Sequence, residues 1–160
     1  MSARPNFVAI LITVVFALIL TLLPMPTWTV WLRPSWVLLV LIYWAISAPH
    51  LMGIGTAWTI GLIVDLLSGT ILGEHALAFT LLIYFVSRLS LRLRMYPLPQ
   101  QGMSILIFIL LYQFILYCIQ GFLGELPTSN LYWLSSITSV LLWPWLFVMM
   151  RDFQRWFRIM

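Results

Sequence analysis

The chain is 160 residues long, 63% hydrophobic and only 8% charged, whereas soluble domains are about 45–50% apolar and about 25% charged. That balance excludes a soluble globular domain. Eight arginines stand against four acids for a formal charge of +4, yet there is no lysine and no basic run suited to a phosphate backbone, which argues against nucleic acid as a partner. The lone Cys118 has no second thiol for a disulfide or a thiolate metal site, so neither disulfides nor zinc are expected to organise the fold.

A helix crossing the hydrocarbon core needs about 20 mostly apolar residues, and six such stretches follow one another between short Pro, Gly or charged segments. The first, 7–23, comes after Arg4 with no small-residue cleavage site behind it, and reads as a retained helix rather than a signal peptide. The second, 36–47, is short and lies between Pro34 and Pro49. The others are 52–67, 76–93, 103–122 and 132–150, followed by a basic, aromatic tail, 151–160. The expected fold is therefore all-α: one transmembrane domain, 1–160, built from six helices.

Arginines set the orientation, because cytoplasmic flanks hold an excess of them. With six spans, Arg4, Arg88, Arg92, Arg94, Arg151, Arg155 and Arg158 share one side, while Arg33, Glu74 and Glu125 lie on the other. Both termini are expected in the cytoplasm, and five or seven spans would spoil the alternation. In the tail, arginines alternate with Phe153, Trp156 and Phe157, which suits either a short helix on an anionic leaflet or a solvated stop-transfer end.

Asp65 is the acid placed deep enough in a span to be costly, at roughly 2.5–3.5 kcal/mol for an unpaired carboxylate near a helix centre. Gly53, Ala57, Gly61, Asp65, Gly69 and Gly73 recur every four residues and form a small-residue stripe that admits another backbone closely. Two readings stand side by side: a polar pocket near the outer face built from Arg33, Asp65 and Gln113, or a carboxylate that caps or pairs within a helix contact, for example with Arg33. Neighbouring Glu74 and His75 point apart on a turn, so they read as the start of the fourth helix, where an acid suits the dipole, rather than as an acid and base pair.

Gln113, Tyr117 and Gln120 share one face of the fifth span and read either as a cavity lining or as interhelical hydrogen-bonding groups. Cys118 reads as a small apolar packing residue. Pro144, between Trp143 and Trp145, is expected to break and kink the sixth helix. Trp28, Trp31, Trp36 and Trp133 fall near span ends, where tryptophan is enriched in any membrane protein. No Gly-x-Ser-Gly turn, second intramembrane acid, phosphate loop or metal-ligand helix is found, so no enzyme activity and no cofactor are expected.

Arg33-Pro34-Ser35-Trp36 leading to Tyr43-Trp44, Pro49-His50, Gly61 with Asp65-Leu66-Leu67-Ser68-Gly69, Leu72-Gly73, His75-Ala76-Leu77 and Leu142-Trp143-Pro144-Trp145 together resemble MreD, the rod shape-determining membrane protein family, over residues 28–151. The resemblance implies a non-enzymatic inner-membrane component of the machinery that builds lateral cell wall. Its partners would be MreC most directly, then MreB, RodA and its transpeptidase, and membrane lipids. It also implies a helix arrangement similar to that of the S subunits of energy-coupling vitamin transporters. The leading expectation is a scaffold whose groove or helix face receives the membrane helix of MreC. The alternative is a small-molecule or lipid-binding subunit of an uptake transporter.

Overall fold

In the computed structural model, residues 7–24, 26–27, 33–124 and 130–159 are described. Arg4, Trp28, Trp31 and Glu125, singled out above, lie outside them. Long runs rich in Leu, Ile, Val and Phe, with few interior polar residues, favour continuous helix, in which all backbone groups bond within the segment. Six helices result: α1 (Phe7–Leu22), α2 (Trp36–Ser47), α3 (Ile54–Ser68), α4 (Glu74–Met95), α5 (Leu98–Phe122) and α6 (Leu134–Ile159), with a 3-10 turn at Asn130–Trp133 before the last. No strand occurs among the described residues. Three segments, Glu74–Met95, Leu98–Phe122 and Leu134–Trp156, are long and apolar enough to cross a membrane, so this is a membrane protein.

The short α2 is the centre of the bundle. Every residue from Val37 to Ile46 is buried, as expected of a helix that is apolar all round. Helices α1, α4 and α6 pack around it, α3 pairs with α4, and α5 joins α4 to α6. Three buried polar contacts fasten these layers. Trp44 Nε1 donates to Thr13 Oγ1 at 2.8 Å, Tyr43 Oη to Gln154 Oε1 at 2.9 Å, and Trp143 Nε1 to Gln101 Oε1 at 3.3 Å. At the far end of α2, the Arg94 guanidinium donates to the carbonyls of Ile46 and Ser47, placing a cation where the helix dipole is negative.

Four expectations need correction. Helix α5 begins at Leu98 rather than near residue 103, because Pro97 and Pro99 fall at its start, where a missing N–H costs nothing. Pro144 does not break the last helix: α6 runs unbroken through it, since membrane helices packed on neighbours tolerate the lost donor. The tail starts no separate helix; residues 151–159 continue α6, and Gln154 is buried against Tyr43. Cys118 is exposed on the outside of α5 rather than packed.

Candidate functional site

The α3–α4 hairpin is organised around Asp65. Its carboxylate sits in the last turn of α3, is fully buried, and faces the start of α4. Backbone amides of Gly73, His75 and Ala76 donate to it at 2.9, 2.9 and 3.4 Å. The Thr70 hydroxyl lies 3.1 Å from Oδ1, and His75 Nδ1 lies 2.8 Å from the same oxygen. Asp65 therefore caps the N-terminus of the next helix in the chain, supplying acceptors and negative charge to orphan amides. The connecting turn can curl round the carboxylate because Gly69 and Gly73 hold φ of 71° and 103°, a left-handed region that disfavours side chains.

The stripe of small residues divides by role. Ala57, Gly61 and Asp65 face inward on α3. Gly61 meets α4 at backbone distance: a Cβ there would collide with Ala76, lying 2.6 Å from its nitrogen. Gly53 caps the start of α3, with open space where a side chain would stand. Glu74 and His75 do diverge, Glu74 accepting from Gln120 Nε2 at 2.9 Å while His75 turns to Asp65. The proposed Arg33 and Asp65 pair is not made. Arg33 Nη2 donates instead to the Leu23 carbonyl at 2.9 Å, and the carboxylate's partners come from five to eleven residues further along, across a tight turn.

Arg33 and Gln113 do meet, at a cavity of about 280 Å³ at this end of the bundle. Its lining includes Trp36, His75, Phe79 and Tyr112; Asp65 lies behind His75, outside the lining. Gln113, on α5, donates through Nε2 to the Tyr132 carbonyl at 3.2 Å. Tyr117 leaves this face, its ring lying 6.2 Å from Trp133. Phe79 and Tyr112 stack at 5.5 Å.

A second concavity, of about 480 Å³, opens between α1 and α6 over a floor of α2. Phe16 and Leu20 form one wall, Trp145 and Met149 the other, and Val40 the floor. The one hydroxyl there, of Thr13, is occupied by the carbonyls of Ala9 and Ile10 and by Trp44, so the groove offers only apolar surface. Among the described residues no group of three His, Cys, Asp or Glu gathers as metal ligands.

The profile of the family described as rod shape-determining protein MreD matches residues 1–153. This chain belongs to the MreD family. The rod shape-determining protein MreD of Haemophilus influenzae is 34% identical over 144 residues, covering 88% of this chain and 87% of the relative. No solved structure matches. Family membership makes this a protein of rod-shape determination. Within the MreD fold seen here, the residues carrying the motif from Asp65 to His75 are those that knot α3 to α4. Sequence reasoning missed His75 as the aspartate's partner. The available signal was the pair of glycines framing the turn, which returns residue 75 to the end of α3.

Proposed function

We propose that this protein is a non-enzymatic scaffold of the lateral wall-building complex, holding the membrane helix of MreC in the groove between α1 and α6. The observation that carries the reading is the groove itself: a concavity of about 480 Å³ whose described lining is apolar apart from Thr13 and the tryptophan N–H groups, flanked by the exposed rings of Phe16 and Trp145. In lipid, where burial of apolar surface gains little, helix association depends on close van der Waals packing, and a preformed groove supplies it. The proposal includes six membrane crossings, an inner-membrane location and cytoplasmic termini, supported by the arginine distribution: Arg94 and Arg151 border one cavity at one end of the bundle and Arg33 another at the opposite end. Association with MreB, RodA and its transpeptidase then follows through MreC, and the likeness to transporter S subunits belongs to the same proposal.

Photo-crosslinking from single positions in a rod-shaped host tests it. A crosslinking residue at Phe16 or Met149 is expected to capture MreC, while one at Phe114 or Met103, exposed on α5, is expected not to. Capture from α5 with none from the groove would overturn the reading.

A further inference from the structure

The cavity at the Arg33 end is chemically unlike the groove. Two of the residues lining it each hold a side-chain atom buried without a hydrogen-bond partner, Arg33 Nε and Gln113 Oε1. The Gln113 amide is not free to turn away. Gln113 is 4% exposed, and its Nε2 is held by the Tyr132 carbonyl, which fixes the amide with its oxygen left over. The guanidinium is held through Nη2 by the Leu23 carbonyl, which leaves Nε–H over. One leftover group is a cationic donor and the other a neutral acceptor. Buried polar groups are almost always satisfied in native proteins, so such a pair calls for a third body.

We infer that this cavity binds a small anionic polyol group: a phosphate oxygen accepting from Arg33 Nε, and a hydroxyl a few ångströms away donating to Gln113 Oε1. The inference goes beyond the scaffold proposal and uses none of the groove walls opposite α2. Among the described residues no carboxylate lines the cavity to oppose an anion; both oxygens of Asp65 are turned to the α4 amides. The stacked Phe79 and Tyr112 rings give flat apolar faces for the carbon skeleton of a polyol. About 280 Å³ exceeds one water, whose share of liquid volume is about 30 Å³. A charge-assisted contact at Arg33 gives the anion the stronger hold. The same chemistry is offered by a lipid headgroup or by a free phosphorylated polyol.

The test uses the full chain, purified and placed in nanodiscs. Binding is read by native mass spectrometry and by ligand-induced shift of the melting temperature. One arm presents phosphatidylglycerol in a phosphatidylcholine disc; the other presents glycerol 1-phosphate in solution to a disc of phosphatidylcholine alone. Binding in either arm, weakened about tenfold or more by Arg33→Gln and by Gln113→Met, is the expected result, and the arm that responds identifies the source. If Arg33→Gln lowers the melting temperature without ligand, Gln113→Met, which keeps the side chain's length, decides. Absence of binding in both arms, as for a cavity that holds water only, overturns the inference. So does a folded Gln113→Met protein that binds as tightly as the wild type.

Discussion

At the α3–α4 hairpin the contacts are complete. Asp65 accepts from three backbone amides and faces Thr70 and His75, and Gly61 brings α3 against the backbone of Ala76 with no space to spare. Across the bundle, α1 and α6 both rest on α2 but leave a groove walled by large side chains, with Phe16 and Trp145 each more than half exposed. Polar residues, costly in lipid, have been used where two helices of the same chain must be locked at one distance. Purely apolar ones stand where the surface is left to something else. A locked region and an open one thus sit in one bundle, and substitutions should separate them.

The largest loss of stability is expected from Asp65→Ala, which orphans three amides at the start of α4 at once, two part-buried and one buried. A cost of about 4 kcal/mol follows from the penalty of unsatisfied buried groups, read as a lowered melting temperature in detergent. Gly61→Leu should cost about 3 kcal/mol by forcing α3 off α4, while Gly53→Leu, with open space around it, should leave the melting temperature unchanged; equal effects would show that the stripe does not lock the hairpin. Gly73→Ala, at φ 103°, should cost about 1–2 kcal/mol through backbone strain alone, measured the same way. Smallest in stability are Phe16→Ala and Met149→Ala in the groove, expected within about 0.5 kcal/mol. Yet these two should reduce recovery of MreC with the tagged protein, while the folded Gly73→Ala should not. Reduced MreC recovery from the hairpin variant alone would reverse the assignment of the two regions.

Helix positions were legible because predominantly apolar runs between Pro and Gly breaks have few alternatives to helix. Asp65 was legible as a group that needs partners, since its cost is a matter of composition and depth. Its choice of His75 over Arg33 was not, because one sequence gives helix faces but not which residues a glycine-framed turn folds back. The same limit hid the groove: α1 and α6 lie far apart in sequence, and nothing in their periodicity says they share a floor. The break expected at Pro144 did not occur, for a related reason. A proline's penalty in an isolated helix overstates its effect in one packed along much of its length.

Helix α2 rises about 18 Å over its 12 residues at 1.5 Å each, well short of a hydrocarbon core of about 30 Å, and it keeps no side for lipid. Its cover is completed by α6, whose Gln154 meets Tyr43 from 111 residues further along the chain. During synthesis α2 therefore emerges long before the segment that encloses it. Until the last helix arrives, the nascent protein holds an unsheltered centre. Cells that monitor unfinished membrane proteins would find truncations ahead of residue 154 far easier to recognise and degrade than changes at the outer faces of α1 or α5.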